Sequence, residues 1–583
     1  GQVVVAYRNG APVRLSDIAV PRDSVQDDQK ASWFNGNRSI TLAIQRQPGA
    51  NTVETVDKIL ALLPGFTDTL PPSVKLSVMY DRSESIRDSV HDVQFTLVLA
   101  GILVVLVIYL FLGNASATLI PAVALPISVL GTFGAMFALG YSLDNLSLLA
   151  LTLAVGFVVD DAIVMLENIM RHIEQGEAPF DAAVKGANEI GFTIFSMTLS
   201  LVAVFIPVMF MGGIVGRLFH EFAVVISVSI LISGFVSITL TPMLCSRFVK
   251  AHDHAKRSFI VVWFDRGFSA VTTGYTRSLA WCMNHPRTVV GVFGLSLAAT
   301  ALLFVIVPKD FIPAGDSGQL RVTTEGPTDI SFAAMSARQQ SLADIARKDP
   351  NIEAVMSSVG AGGARATVNS GSMLLRLKDR SERGHTTPDE IIQELRHKFA
   401  EVPGIRTYIQ NPPAIQIGGR QSKAQYQYTV QSTDLHALYD WSGKLVAAFQ
   451  KLPGFQDVTT DLDLNSPSMV VTVNRDKLAP LGLTMDQVQT ALGTAFGENQ
   501  ISTIYGAATQ YWVILQVERR MQDDPAVLSR LYVTSDSGKL IPLNTVASFE
   551  RKPQVLTVNH QGQLPAVTVS FNLPPGVSLS DAV

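Results

Sequence analysis

Between Asp92 and Asp144 the chain runs for 51 positions without a charged residue. A soluble core does not need such an interval, whereas a bilayer asks for about 20 consecutive apolar residues per spanning helix. Asn114-Ala115-Ser116 breaks the interval into two halves, each long enough to cross. Further charge-free stretches run from Ile190 to Gly216, Phe222 to Ser246 and Thr288 to Pro308. Between them lies Asn145 to Ile169, apolar except for Asp160, Asp161 and Glu167. The pattern predicts six membrane spans.

The remaining composition fits membrane spans combined with polar domains. Of 583 residues, 48% are hydrophobic and 16% charged, a balance that a purely soluble protein does not need. The net charge of −4 leaves no electrostatic footprint for nucleic acid. Cys245 and Cys282 lie far apart and give neither a disulfide framework nor metal-ligand spacing, and no cofactor motif stands out. The opening GQVVVAYRNG has no initiator methionine and no signal peptide, and reads as the middle of a domain, as in a piece of a longer protein.

Basic residues set the expected orientation. The connection from Arg247 to Arg287 holds Arg247, Lys250, Lys256, Arg257, Arg266, Arg277 and Arg287 against Asp253 and Asp265, which marks it as cytoplasmic. Counting spans outward puts the first 92 residues and everything after Pro308 together on the opposite side. The loop from Arg171 to Glu189 is net acidic and argues against its cytoplasmic placement, but parity with the basic loop overrides it.

After the last span the pattern changes to α/β. Leu320–Glu325 reads as a strand, Ser331–Lys348 as a helix, then Ile352–Val359 and Ser372–Lys378 as strands, Thr387–Ala400 as a helix and Arg406–Gln410 as a strand. That βαββαβ order matches the split βαβ, ferredoxin-like motif. A second pass follows: strand Gln425–Gln431, helix Asp434–Leu452, strands Phe455–Asp461 and Met469–Asn474, helix Met485–Ala495. The expected fold is therefore a six-span helical bundle plus α+β, ferredoxin-like subdomains.

The two ends of the chain resemble each other. Val13-Arg14-Leu15, Ile18-Ala19, Asn35-Gly36 and Pro48-Gly49 recur as Ile541-Pro542-Leu543, Val546-Ala547, Gln561-Gly562 and Pro575-Gly576, at offsets of 526 to 528 residues. Self-similarity of this kind marks a duplicated architecture, common among transporters. A second set of spans is expected to follow the second copy.

Asp160 and Asp161 are the unusual residues of the third span. A charge at the bilayer centre costs about 2.5–3.5 kcal/mol on insertion scales, so such residues carry a function by default. Adjacent carboxylates repel, which favours a proton held by the pair. Neighbouring helix positions point about 100° apart, so the two could face different partners or water paths. A structural salt bridge is the plain alternative, but no Lys or Arg lies within the other five spans. Intramembrane aspartic proteolysis needs two aspartates from different helices, and a DDxxD diphosphate–magnesium site needs an acid at Val164 or Met165, so neither enzymatic chemistry fits.

With these features in hand, the chain resembles the resistance–nodulation–division (RND) superfamily in its hydrophobe/amphiphile exporter branch. The residues that carry the resemblance are Gly156 to Asn168 (GFVVDDAIVMLEN), Phe210-Met211-Gly212-Gly213 with Gly216 and Phe219, and Leu240-Thr241-Pro242-Met243-Leu244-Cys245. It covers essentially the whole chain, and the wording is closest to the subfamily whose two different pump subunits co-assemble.

The resemblance implies an inner-membrane proton/drug antiporter, not an enzyme, that exports amphiphilic small molecules through large periplasmic domains. It implies a trimer, open to a heteromeric one with a sister subunit, a periplasmic adaptor protein and an outer-membrane channel. On that map residues 1–30 and 498–540 are docking segments, 31–92 end a porter subdomain, 93–257 hold five spans, and 258–285 form an amphipathic cytoplasmic helix. Residues 286–308 are the sixth span, 309–414 and 415–497 two porter subdomains, and 541–583 the start of the repeat-equivalent porter segment.

Asp160 and Asp161 match the family's proton-carrying aspartates, whose lysine, threonine and arginine partners belong to a second bundle. Asn35 and Tyr80 match positions lining the deep drug pocket, although a turn Asn and a strand-end Tyr are equally good readings. The glycine-rich switch loop corresponds to Val359-Gly360-Ala361-Gly362-Gly363-Ala364. Well-studied multidrug members put phenylalanines here, where this chain has Met356, Ala361, Gly363 and Leu374, so no aromatic cage is expected from this segment. Two alternatives remain: a structural partner subunit beside a substrate-binding sister, and a heavy-metal exporter, which the scattered distribution of the 15 methionines disfavours.

Overall fold

The computed structural model describes residues 2–25, 27–112, 115–249, 259–307, 315–360, 367–384, 386–412, 422–497, 499–507, 509–522, 524–574 and 576–582. The chain divides into a helical unit, Gln45–Val307, and an α/β unit made of Gly1–Ile44 with Pro308–Val583.

Among the described residues of the helical unit, six helices are long and apolar enough to cross a membrane: Arg82–Phe111, Ser116–Leu139, Asn145–Glu174, Pro179–Met209, Val215–Phe248 and Pro286–Ile306. Their ends follow from local chemistry. Before the third, Gly140 takes a left-handed φ of 74° and Asp144 then caps the new helix. Its Oδ1 accepts from the Ser147 N–H at 2.8 Å while Ser147 Oγ accepts from the Asp144 N–H at 2.9 Å, a reciprocal capping box. Gly176, with φ 95°, closes the same helix, and Pro179 opens the fourth at a position where its missing N–H costs nothing.

Asn145–Glu174 and Val215–Phe248 form the middle of the bundle, each with 56% of its most apolar window buried against 0% for Pro286–Ile306. Small residues allow the close crossings. A Cβ on Gly186 would lie 2.9 Å from Ile169 Cγ1 and 3.3 Å from its Cα, so the fourth helix meets the third there through backbone. Ala124, Ala162 and Val236 form one apolar cluster between three of the helices. A further helix, Phe259–Asn284, covers most of the segment read as amphipathic, and Phe268 meets Phe111 edge-on at 5.3 Å. Ser258 lies outside the described residues.

In the α/β unit the order strand Gln319–Glu325, helix Phe332–Arg347, strands Ile352–Val359 and Ser370–Leu377, helix Pro388–Phe399, strand Arg406–Gln410 is the one expected from the sequence. Across the sheet the strands run Asn37–Arg38, Ala31–Phe34, Ile352–Val359, Ser370–Leu377, Gln319–Glu325, Arg406–Gln410, and every neighbouring pair is antiparallel. One face carries Leu320, Val322, Val355, Met373, Leu375 and Leu377 into a core with Leu342, Ile391, Leu395 and Phe399 from the two helices. Alternation along each strand leaves Met356 and Leu374 on the opposite face.

The strands and helices of the second pass occur in the expected order, but the strands find their partners outside it. Tyr426–Gln431 and Gln456–Thr460 do not pair with Ser466–Val473, which corresponds to the strand expected at Met469–Asn474. They flank Leu564–Asn572, from near the chain's end, on either side. Ser466–Val473 pairs instead with Ala547–Gln554 along eight residues. A separate core joins Leu478, Leu483 and Val488 to Val533, Leu543 and Val546, across the boundary drawn at residue 497. Local periodicity identifies a strand but not its partner, and here the partners lie about a hundred residues away.

The repeated segments share one device. Asn35 and Gly36 have φ of 48° and 84°, and Gly562 and Gln563 have 56° and 70°. Each pair bridges a two-residue hairpin, Phe34↔Asn37 in one case and Gln561↔Leu564 in the other, as a type I′ turn requires. The structural offset between these turns is 527 residues, one more than the Asn35-Gly36 and Gln561-Gly562 match implies.

Candidate functional site

Asp160 and Asp161 sit mid-helix in Asn145–Glu174, the most deeply packed of the spans together with Val215–Phe248. Successive side chains on a helix diverge by about 100°, and the two carboxylates separate accordingly. Asp161 is 1% exposed, whereas Asp160 lies on an open side of the bundle. The Thr198 hydroxyl, from Pro179–Met209, faces Asp161 Oδ2 at 3.3 Å and the Ile194 carbonyl at 2.8 Å. One hydroxyl proton thus has two acceptors within reach. When Asp161 is ionised the carboxylate is the stronger acceptor, and when it is protonated the Ile194 carbonyl is. Thr198 is held in place by Gly234, where an added Cβ would lie 2.6 Å from its Oγ1.

The ion pairs of the helical unit among the described residues lie elsewhere. Lys58 pairs with Glu54 and Arg87 with Asp57, near the start of the unit. At the other end of the aspartate helix, His172 is 4% exposed between Glu189, 2.9 Å from Nε2, and Glu177, 3.4 Å from Nδ1. Arg171 and Lys185 complete that cluster through Glu189 and Glu177. This network ties the net-acidic connection back onto its own helices, so its charges are spent on one another. Sequence reading missed both Thr198 and His172. The signal available for each was a polar residue inside an apolar run, but which helix it faces is a tertiary fact.

The residues proposed for a substrate pocket divide between the two units: Tyr80 precedes Arg82–Leu112 in the helical unit, and the others lie in the α/β unit. Tyr80 is exposed and lies in irregular chain, not at a strand end. Asn35 is a turn residue whose side chain is already used: its Oδ1 accepts from the Val355 N–H at 2.9 Å, while Arg347 Nη1 donates to its carbonyl at 2.7 Å. Met356 and Leu374 are direct cross-strand neighbours, and Phe34 pairs with Met356 from the next strand. Phe34, Met356 and Leu374 therefore share one row on the sheet face away from the helices, and Thr41 Oγ1 lies 3.5 Å from Met356 Sδ. Phe34 is the aromatic that sequence reading passed over beside Asn35.

Gly360 ends this strand with φ 67°, and a Cβ there would stand 2.2 Å from the Gln29 carbonyl oxygen, so the position accepts only glycine without rearrangement. Ala361, Gly362, Gly363 and Ala364, the rest of the proposed switch loop, lie outside the described residues.

Compared with known families, the chain matches the AcrB/AcrD/AcrF family over residues 1–583.

Proposed function

The chain belongs to the AcrB/AcrD/AcrF family of RND efflux transporters, membrane proteins rather than enzymes, and from that premise we propose a proton-driven export cycle for it. In this reading the protein is an inner-membrane proton/drug antiporter subunit, and Asp160 and Asp161 carry the protons. The observation that supports it best is Asp161: a carboxylate 1% exposed on a helix packed against Pro179–Met209 and Val215–Phe248, with a threonine hydroxyl as its hydrogen-bond donor. A buried carboxylate with no cationic neighbour among the described residues is costly as an anion and cheap as an acid, so it gains and loses a proton as its surroundings open and close. Asp160, facing outward, meets whatever packs on that side of the bundle.

The α/β unit acts as the periplasmic porter in this account, with ferredoxin-like subdomains of the order seen at Gln319–Gln410 and amphiphilic small molecules as cargo. Asn35, Met356, Gly360 and Leu374 are the proposed pocket residues of the α/β unit, and Tyr80 is proposed separately as a substrate-contacting residue of the helical unit. Asn35 and Gly360 serve the pocket by shaping backbone, and Met356 and Leu374, with Phe34, serve it by apolar contact. A methionine–leucine row with one phenylalanine favours flexible amphiphiles over flat aromatic drugs. Partners in this reading are a periplasmic adaptor protein, an outer-membrane channel and the other subunits of a trimer, with a sister RND subunit as one of them.

Replacing Asp160 and Asp161 together by Asn, with membrane levels verified, tests the proposal in cells that depend on this protein for resistance to an amphiphilic toxin. Resistance is expected to fall to that of the deletion strain. Unchanged resistance would remove the proton-carrying role and favour a structural partner subunit, a reading that the sparse aromatic content of the Met356–Leu374 row also fits.

A further inference from the structure

The helix Gly213–Phe248 carries hydroxyls at Ser229, Ser233, Ser237 and Thr241, a spacing of four that places them on one stripe about 6 Å apart. All four residues are at most 1% exposed. Ser233 shows which way the stripe faces: its Oγ donates across the bundle to the Val158 carbonyl at 2.6 Å, on the aspartate helix. The hydroxyls of Ser229, Ser237 and Thr241 have no hydrogen-bond partner among the described residues. That is unusual, because a helical serine or threonine in apolar surroundings normally rests on the carbonyl four residues back. Ser227 and Thr239 on this same helix do so, onto Ala223 and Phe235. Three deeply buried, unpaired hydroxyls on one stripe call for a polar occupant that pairs with each of them.

The stripe passes the buried carboxylate. The two helices run in the same direction, since Leu148 and Leu151 pack with Val225 and Ile226, Ala162 with Val236, and Ile169 shares a cluster with Cys245. Measured from the Val158–Ser233 contact, one turn onward sets Ser237 level with Ala162, next to Asp161. A further turn sets Thr241 level with Leu166, and one turn back sets Ser229 level with Ala154. Gly234, between Ser233 and Ser237, packs on Thr198, whose hydroxyl faces Asp161. From Ser229 to Thr241 the stripe rises about 18 Å, more than half of a hydrocarbon core of about 30 Å.

We propose that Ser229, Ser233, Ser237 and Thr241 seat a file of water molecules along this helix, and that the file delivers protons to Asp161 and takes them away. A hydroxyl suits the task because it donates and accepts at once. As each oxygen accepts a proton from behind it passes its own forward, so one proton enters the file and one leaves, and every hydroxyl ends as it began. Asp161 gains that proton as a carboxylic acid and returns to a carboxylate on releasing it. Ser233, committed to the Val158 carbonyl, anchors the stripe to the aspartate helix. The proposal rests on the reading of Asp161 as a proton carrier.

The test is proton-driven transport of a fluorescent amphiphile into everted membrane vesicles containing the full chain and its native partner subunits, at a fixed proton gradient. The variant S229A/S237A/T241V removes three hydroxyls with little change of shape. It is expected to lower the maximal velocity about tenfold or more while KM stays within about twofold, because transition between states and not cargo binding is affected. Thr241→Ser, which keeps the hydroxyl, should remain near the wild-type velocity. Asp161→Asn, run in parallel, reports on the premise. If Asp161→Asn is inactive and the triple variant pumps at the wild-type velocity, the water file is overturned and the carrier role stands. If Asp161→Asn itself pumps normally, the premise falls and the file with it. Should the triple variant fail to reach the membrane, Ser237→Ala and Thr241→Val are measured singly. A clear loss of velocity in each supports the file, and wild-type velocity in both overturns it.

Discussion

Asn35 is held by its side chain as well as by its backbone. Its φ of 48° is left-handed, and its Oδ1 accepts the Val355 N–H that would otherwise be unpaired where the ladder with Ala31–Phe34 ends. Asn35→Ala loses the hydrogen bond and strains the turn, for a cost of about 1–3 kcal/mol. Asn35→Gly loses only the hydrogen bond, so thermal unfolding of the α/β unit should rank wild type above Asn35→Gly above Asn35→Ala. Equal stability of the two variants would remove the strain from the account.

Asp463 makes the complementary case, a residue the fold tolerates at a cost. Burial holds its carboxyl above the ordinary carboxylate range, and the nearby charge of Glu325 adds to that. An acid whose folded value is raised destabilises the fold fully above that value, and the penalty vanishes as pH falls below the unfolded one. Asp463→Asn should therefore raise the melting temperature at neutral pH, with the gain fading to nothing in acid. A gain that persists in acid would point to packing instead of charge.

At the scale of elements, the first α/β layer stands on one core. Phe399, 1% exposed, closes it against Leu320, Leu375 and Leu395. Phe399→Ala should cost about 3–5 kcal/mol, read as earlier thermal unfolding or faster proteolysis of this unit. Much of that architecture was legible in the sequence because its signals are local: alternation marks the strands of Gln319–Gln410, and Thr387 with Glu390 announces the capping box of Pro388–Phe399. The partner of Ser466–Val473 was not legible, since Ala547–Gln554 lies far along the chain and its own alternation fits many partners. The same limit governs the site. Asp160 and Asp161 stand out in one dimension because charge is rare in a span. Thr198, His172 and the unpaired hydroxyls of Ser229, Ser237 and Thr241 look ordinary until the helices are packed.

At the scale of the whole molecule, the account needs a defined sidedness. In the proposed topology, which the basic stretch from Arg247 to Arg287 supports, the helix Phe259–Asn284 and its half-exposed Cys282 lie at the cytoplasmic face, while Cys245 is buried in the bundle. A membrane-impermeant maleimide should label Cys282 in everted vesicles and leave it unlabelled in intact cells. Labelling in intact cells would invert the topology.

The central claim is that export is driven by protons passing through Asp161. Its most direct measurement is proton movement itself, followed with a pH-sensitive dye in vesicles containing the full chain and its native partners, on addition of an amphiphilic cargo. Cargo should evoke proton flux with the wild-type protein and none with Asp161→Asn at equal membrane levels. Cargo-evoked flux that persists undiminished in Asp161→Asn would contradict the account.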